Sequence, residues 1–154
     1  MTDLAIFAAG CFWGVEEKFL SCKGVLDTEV GYIGGGTKNP TYNDVCRGDT
    51  QHAEAVRVKY DDKIISYKDL VQLFFEIHNP TTLNQQGPDI GTQYRSEIFC
   101  LDDDQYLIAD MLKRDLNKNT FGGRMVTSIT MAKEFWIAEE YHQKYIRKKK
   151  NMIL

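Results

Sequence analysis

The first side chain in this sequence that can carry out covalent chemistry is the thiol of Cys11. It follows an apolar stretch at residues 4–9 and Gly10, and it precedes a segment of helical periodicity that begins at Phe12. Free N–H groups and the positive end of the dipole at a helix start stabilise a thiolate, which is the attacking form of cysteine. The position therefore predicts a nucleophile, with a small buried side chain at a strand end as the structural alternative.

Aromatic residues directly follow this cysteine. Phe12, Val15 and Phe19 share the core-facing side of the predicted helix, whereas Trp13 falls on a side that also carries charged residues. Trp13 is therefore less typical of plain core packing. An apolar ring beside a helix-terminal cysteine can form a wall that receives a small methyl-bearing group.

A carboxyl group is aimed at the apolar side of a predicted strand. Counting by two along residues 53–60 places Glu54 on the face of Val56, Val58 and Tyr60. Burial disfavours the charged form and raises the pKa of a carboxyl group, so Glu54 is a candidate general acid near neutral pH. The alternative is a frayed strand end that leaves Glu54 in solvent.

Three further polar residues lie in or beside two long irregular stretches. Tyr42 belongs to the loop that runs to about residue 51, and Asp89 and Tyr94 lie in or at the edge of the stretch at 79–93. Binding residues gather on such loops, although a tyrosine there can also pack and Asp89 can serve a turn.

The three histidines offer a different site. A cysteine, a histidine and an acid form the centre of a thiol hydrolase, and His52, His78 or His142 would have to reach Cys11 for that chemistry. The sequence leaves this open. No two histidines have the spacing of metal ligands, so no metal site is predicted.

The pattern of elements predicts an α+β fold, with helices packed on a mixed sheet in two layers, and one domain over residues 1–154. The predicted strands and helices alternate with the two long loops. Strands are expected at 4–9, 25–33, 53–60, 94–101 and 126–131, and helices at 12–21, at 66–78 with Ser66 as the N-cap, at 103–117 and from 138 onward.

Composition excludes several classes of protein. The chain has 154 residues, 43% hydrophobic and 27% charged, with a net charge of −3, so a nucleic-acid partner is not expected. The apolar run at 4–9 is too short to span a membrane. Four cysteines without C-x-x-C pairing are typical of reduced thiols in the cytoplasm, and no G-x-G-x-x-G follows a predicted strand.

Five blocks of sequence resemble the peptide methionine sulfoxide reductase A family, in the order found there. The resemblance spans about residues 5–145. The blocks are G-C-F-W-G at 10–14, Y-N-D-V-C at 42–46, H-A-E-A-V at 52–56, G-P-D-I-G-T-Q-Y-R-S at 87–96 and A-E-E-Y-H-Q-K-Y at 138–145.

The resemblance implies a ferredoxin-like core and the reduction of methionine S-sulfoxide, free or in oxidised proteins, as repair of oxidative damage. It implies no bound cofactor, with electrons from thioredoxin, glutaredoxin or glutathione, and a sulfenic acid on the nucleophile after methionine leaves. The implied roles are Cys11 as nucleophile, Phe12 and Trp13 as the wall around the S-methyl group, Glu54, Tyr42 and Tyr94 as the groups that bind the sulfoxide oxygen, and Asp89 as an acidic residue of the same site.

The recycling step departs from the family, many of whose members carry resolving cysteines in a C-terminal tail. No cysteine follows Cys100 here. Cys22 is about 16 Å from Cys11 along a continuous helix, and Cys100 lies roughly 20 Å along a strand from Tyr94, so neither is expected to reach the nucleophile. Two hypotheses remain: an external thiol reduces the sulfenic acid directly, or Cys46 resolves it first.

One alternative that is not an enzyme uses the same side chains. Phe12, Trp13, Tyr42 and Tyr94 can form an aromatic cage for a methylated cation. Glu54 would then have to be ionised, so a pKa of Glu54 well above that of a free glutamate would count against the cage.

Overall fold

A computed structural model describes the backbone of residues 2–153 and the side chains of residues 2–151. These residues form eight strands and five α-helices. The strands are β1 (Thr2–Ala9), β2 (Val25–Ile33), β3 (Ala53–Asp61), β4 (Gln85–Gln86), β5 (Asp89–Ile90), β6 (Ser96–Cys100), β7 (Ser128–Met131) and β8 (Trp136–Ile137), and the helices are α1 (Phe12–Leu20), α2 (Tyr42–Cys46), α3 (Tyr67–Glu76), α4 (Asp103–Asn119) and α5 (Tyr145–Ile153).

Six of the strands form one mixed sheet in the order β7-β6-β1-β3-β2-β8. The four central strands pair antiparallel, and β7 adds to β6 in parallel. The central order β6-β1-β3-β2, with α1 after β1 and α3 after β3, is a ferredoxin-like arrangement. The predicted α+β class with a mixed sheet is therefore confirmed.

The main core lies between the sheet and the helices. Phe7 of β1 stacks on Phe19 of α1 at 5.0 Å and on Phe74 of α3 at 5.4 Å between ring centroids. Alternate strand residues point the other way, where Ile6 and Phe99 pack with Phe135 of the segment after β7. The sheet is thus covered by helices on one face and by an irregular segment on the other.

Local sequence explains where the helices begin. The Ser66 hydroxyl accepts from the N–H of Asp69 while the Asp69 carboxylate accepts from the N–H of Ser66, which is a complete capping box for α3. Asp102 caps α4 by accepting from the N–H of Gln105 at 2.8 Å. The predicted N-cap at Ser66 is confirmed.

The predicted start of the last helix, at residue 138, is wrong. A single 3-10 turn, Glu140–His142, comes first, and α5 begins only at Tyr145. The side chain of Gln143 binds the backbone of Val30 through both its oxygen and its nitrogen, each at 2.9 Å, so it draws the chain onto β2. Lys144 follows with a φ of 52°, which interrupts helical geometry.

Short elements account for the remaining differences. The strand expected at 94–101 begins at Ser96 because Tyr94 ends a 3-10 turn, and Cys46 ends the short helix α2 instead of lying in open loop. The edge strand β8 and the β4–β5 hairpin were not predicted. Among residues 2–153, no helix combines the length and the apolar character needed to cross a membrane.

The pairing of β2 with β8 depends on the absence of a side chain at Gly31. A Cβ atom there would collide with the carbonyl oxygen of Trp136 and lie 2.6 Å from the ring of Phe135. We expect Gly31→Ala to lower the free energy of unfolding by about 1–3 kcal/mol, because backbone cannot give way as a flexible side chain can. Urea denaturation measures the change.

Gly36→Ala is the matched control, since a Cβ atom at Gly36 meets nothing within 4 Å. It should unfold at nearly the urea concentration of the unchanged protein. Equal losses in the two variants would contradict the packing argument.

Candidate active site

The turn before α1 brings Cys11 close to the second long loop. Gly10 has a φ of 103°, in the left-handed region that favours glycine, and a Cβ atom there would lie 2.9 Å from Cγ of Gln86. Gln86 is fixed by Asn79, whose N–H donates to the Gln86 side chain and whose carbonyl accepts from it, both at 2.8 Å. Glycine at position 10 therefore lets the loop at 79–95 lie against the nucleophile.

The Cys11 thiol is half-buried at the N-terminus of α1. Burial raises its pKa, and the N–H groups of Trp13 and Gly14 lower it, as expected from the start of a helix. The carboxylates of Glu54 and Asp89 raise it further, and the net pKa lies above the ordinary value for cysteine. The predicted thiolate stabilisation exists but is outweighed in this structure.

Glu54 lies on β3 with its carboxyl group in the helix-covered face, as strand alternation predicts. It is 1% exposed, and its Oε1 accepts from the N–H of Phe12 at 3.2 Å. Its Oε2 is buried without a hydrogen-bond partner among the described residues. Burial raises the pKa of Glu54 to about 7, against the lowering effect of the Phe12 N–H, and Asp89 adds to the increase.

The polar residues predicted on the two loops surround this carboxyl group. Asp89 lies close enough to raise the pKa values of Cys11 and Glu54. Burial and the charges of Glu54, Cys46 and Asp89 raise the pKa of Tyr94 to about 12, so its phenol keeps its proton at neutral pH. The structure thus gathers Cys11, Glu54, Asp89 and Tyr94 in one place.

Tyr42 joins the cluster from the short helix α2, where its hydroxyl lies close enough to Cys46 for each group to affect the pKa of the other. Burial, Cys46 and Glu54 all raise the pKa of Tyr42. Glu139 positions this helix: one carboxylate oxygen accepts from the N–H of Tyr42 at 2.9 Å, and the other accepts from the Tyr32 hydroxyl at 2.8 Å. Sequence reasoning did not single out Glu139.

Trp13 is held by two residues that sequence reasoning did not assign to it. Its indole N–H donates to Nδ1 of His142 at 2.9 Å, and its ring stacks on Tyr145 at 3.9 Å between centroids. His142 is 1% exposed, and burial lowers its pKa, so it accepts this hydrogen bond as a neutral imidazole. Phe12 packs beneath, with its ring against Tyr32 and His142.

All four cysteines are free. Cys100 pairs along β6 with Met131 at the end of the strand remote from Ser96, and its thiol lies 4.0 Å from the Tyr67 hydroxyl, away from the site. Cys22 follows the C-terminal end of α1, a helix length from Cys11. Cys46 is exposed and lies near Glu54, whose charge raises its pKa.

The histidines do not form a Cys-His pair with Cys11. Both ring nitrogens of His52 form hydrogen bonds with the backbone, one with Gly35 at 3.0 Å and one with Thr37 at 2.7 Å. Both ring nitrogens of His78 contact Phe74 and Ser96. Nδ1 of His142 accepts from Trp13, its Nε2 has no partner among the described residues, and no histidine is among the main groups that shift the pKa of Cys11. This arrangement does not support a thiol hydrolase.

Two other classes of site are also disfavoured. Among the described residues, no group of three or more His, Cys, Asp or Glu side chains has the geometry to hold a metal ion. A cation cage needs an ionised Glu54, and the pKa of about 7 leaves a large share of this group protonated at neutral pH.

The fold and the site define an α+β domain in which a cysteine at a helix start faces a buried, partly protonated carboxyl group and two phenols. The family model described as "Peptide methionine sulfoxide reductase" matches residues 3–153 of the chain. A peptide methionine sulfoxide reductase MsrA from Methanosarcina acetivorans is 53% identical over 148 residues, which are 96% of this chain and 79% of that protein.

Solved structures agree with this result. Mxr1 from Saccharomyces cerevisiae in reduced form aligns with a TM-score of 0.92 and 38% identity over 97% of this chain and 86% of that one. Mxr1 in complex with Trx2 aligns with a TM-score of 0.67 and 26% identity over 94% and 84%. The chain belongs to the peptide methionine sulfoxide reductase family and is an oxidoreductase of that class.

The electrostatic coupling of Glu54 to Cys11 is measurable without any substrate. We expect Glu54→Gln to shift the midpoint of Cys11 alkylation by iodoacetamide to lower pH, because the substitution removes a negative charge that raises the pKa of the thiol. Quantitative mass spectrometry of the Cys11 peptide follows the reaction. Glutamine can still accept from the N–H of Phe12, so the local backbone is preserved.

Asp103→Asn, at an exposed position in the first turn of α4, removes an equal charge and serves as the control. Its midpoint should match that of the unchanged protein. If the midpoint of Cys11 alkylation in Glu54→Gln is unchanged or moves to higher pH, the electrostatic coupling is refuted.

Proposed function

We propose that this chain reduces methionine S-sulfoxide, free or in oxidised proteins, through attack of Cys11 on the sulfoxide sulfur. The observation that carries the proposal is the buried Oε2 of Glu54, which has no partner among the described residues and belongs to a carboxyl group with a pKa of about 7. A protonated carboxyl in that position is a hydrogen-bond donor without an acceptor. A sulfoxide oxygen supplies the missing acceptor.

The first step transfers oxygen from one sulfur to another. A sulfoxide is a poor electrophile until its oxygen is protonated or strongly hydrogen-bonded, and Glu54 supplies that proton. The Cys11 thiolate bonds to the substrate sulfur while the sulfoxide oxygen takes the proton of Glu54. The resulting hydroxyl group then moves to the sulfur of Cys11 as the sulfur–sulfur and sulfur–oxygen bonds of the intermediate break, which leaves a sulfenic acid on Cys11 and releases methionine. Two electrons pass from Cys11 to the substrate sulfur.

Tyr94 and Tyr42 assist as neutral donors to the same oxygen. Their raised pKa values keep both hydroxyls protonated, and the contribution of Glu54 to both increases supports a role for them at the same oxygen. Trp13 forms the accessible wall for the S-methyl group, and Phe12 packs behind it. Asp89 keeps the local potential negative and so favours protonated Glu54.

The protonation states of acid and nucleophile support each other. An ionised Glu54 raises the pKa of Cys11. When Glu54 is protonated, this increase is absent and the Cys11 thiolate forms more readily. The productive pair, thiolate with carboxylic acid, contains one proton, as does the pair of thiol with carboxylate. The two pairs therefore differ only in the position of that proton, and their ratio does not depend on pH.

An external thiol completes the cycle. A thiolate attacks the sulfenic sulfur, water leaves, and a second thiol releases Cys11 from the resulting mixed disulfide. The structural similarity to Mxr1 in complex with Trx2 supports a thioredoxin as the reductant, and glutaredoxin or glutathione supplies the same chemistry. In a second route Cys46 attacks the sulfenic acid first. The exposure of Cys46 and its position near Tyr42 and Glu54 support this alternative.

A single turnover without added reductant tests the activity and its nucleophile. We expect about one methionine per molecule of reduced enzyme from a methionine S-sulfoxide peptide, and none from Cys11→Ser. Cys22→Ser is the matched control, because its thiol lies a helix length away and should leave the yield unchanged. No methionine from the unchanged enzyme would overturn the proposed function.

Mass spectrometry of the same samples separates the two recycling routes. A sulfenic acid that persists on Cys11 until a thiol is added supports direct reduction. A disulfide between Cys11 and Cys46, absent from Cys46→Ser, supports the Cys46 route.

The pH dependence of the single-turnover rate tests Glu54. Because the productive pair holds one proton, the rate should rise with pH up to about 7, stay level, and fall only above the raised pKa of Cys11. Glu54→Gln should lower the rate by about 10²- to 10⁴-fold. Its remaining activity should keep rising into the alkaline range, since only the thiol then titrates.

Glu76→Gln, at an exposed position of α3, is the control and should reproduce the original profile. A Glu54→Gln enzyme with an unchanged rate and profile would remove Glu54 from the mechanism.

A further inference from the structure

A lysine extends the stack of rings that holds Trp13. Tyr145 lies 3.9 Å from Trp13 between ring centroids, and Nζ of Lys149 lies 4.9 Å from the centroid of Tyr145. Lys149 is one turn further along α5 and is exposed. Its ammonium group is therefore within about 9 Å of the Trp13 ring by simple addition of the two distances.

Lys149 differs from the other cations around it. Four of them form ion pairs with carboxylates, whereas Lys149 lies over the Tyr145 ring and forms no ion pair with a carboxylate of residues 2–151. The pairs are Lys144 with Asp27 at 2.9 Å, Arg147 and Lys150 with Glu17 at 3.3 and 3.2 Å, and Lys148 with Glu140 at 3.6 Å.

The charge of this surface is opposite to that of the whole chain. The ion pairs join four cations to three carboxylates, the carboxylate of Glu16 accepts from the N–H of Lys144, and Lys149 adds a further positive charge, so these residues together have an excess of one. The chain as a whole has a net charge of −3. The charge of Lys149, which no described carboxylate neutralises in an ion pair, attracts negatively charged groups that come near it.

We propose that Lys149 is a specificity-determining residue that binds the carboxylate of an aspartate or glutamate near the methionine sulfoxide in a protein substrate. The preferred substrates are then acidic segments around an oxidised methionine. This inference rests on the proposed function, because it assumes that the S-methyl group lies against Trp13.

The distances suit a near neighbour in sequence. Consecutive Cα atoms are 3.8 Å apart, and an extended chain advances about 3.3–3.6 Å per residue. Tyr145 covers one face of Trp13, so an S-methyl group on the other face lies about 4 Å farther from Lys149, and a carboxylate two to four residues from the sulfoxide can span the resulting distance of roughly 13 Å. A free methionine sulfoxide lacks such a neighbour.

The contact should strengthen binding without changing the chemical step. Lys149 is remote from the sulfoxide oxygen, so it contacts the substrate equally in the ground state and in the transition state. The contact should therefore lower the half-saturation concentration and leave the maximal single-turnover rate unchanged. Because the pair is exposed, the preference should be about threefold and should fade as salt screens it.

The experiment uses short peptides with a central methionine S-sulfoxide and glutamate, glutamine or lysine two residues away. Single-turnover rates of the reduced full-length enzyme are measured against peptide concentration, so that no protein reductant takes part. We expect the glutamate peptide to reach half-saturation at about one third of the concentration that the glutamine peptide needs, and the lysine peptide to need more. The maximal rates should agree.

Two variants assign the preference to this lysine. In Lys149→Gln the glutamate and glutamine peptides should have equal half-saturation concentrations. Lys149→Arg keeps the charge and should retain the difference between them. Lys118→Gln removes an exposed charge near the C-terminal end of α4 and should keep the original preference.

Equal half-saturation concentrations in the unchanged enzyme, or a preference that survives Lys149→Gln, would overturn the proposal. Efficient reduction of the glutamine peptide in the same series would show that the proposed function still holds. Failure to reduce any of the three peptides would instead overturn the proposed function, and this inference with it.

Discussion

The burial of one carboxyl group is the constraint on which the site depends. Glu54 points into the helix-covered face of β3 because strand residues alternate, and its neighbours on that face are core residues. Desolvation there raises the pKa of Glu54 to about 7, so a large share of this carboxyl group keeps its proton at neutral pH. The same burial explains why Oε1 meets the first N–H of α1, since a buried carboxyl oxygen needs a donor and the helix start provides one.

Local patterns predicted the residues whose positions follow from periodicity. The buried face of α1, the orientation of Glu54 and the N-cap at Ser66 come from spacings of two to four residues, and the structure confirms all three. The protonation of Cys11 was predicted less well. A helix start was visible in the sequence, but the burial of the thiol, which raises its pKa most, and the opposing charges of Glu54 and Asp89 come from elements that lie far along the chain.

Contacts between distant segments account for what the sequence did not reveal. The bond from Trp13 to His142 joins residues 129 positions apart, and no local pattern predicts such a partner. The expected helix from residue 138 was wrong for the same kind of reason, because Gln143 binds the backbone of β2 and overrides local helix preference. Helical periodicity alone does not show which side chains will bind another strand.

The residues that hold Trp13 and Tyr42 are synthesised after the rest of the site. The four central strands are complete at Cys100, whereas Glu139, His142 and Tyr145 follow about forty residues later. Since a polypeptide emerges from the ribosome N-terminus first, the thiol and the acid are made well before the residues that hold Trp13 and Tyr42. A newly made chain therefore passes through a stage in which its reactive sulfur exists without its finished enclosure, and the redox state of the surroundings decides whether that sulfur survives until the last helix is in place.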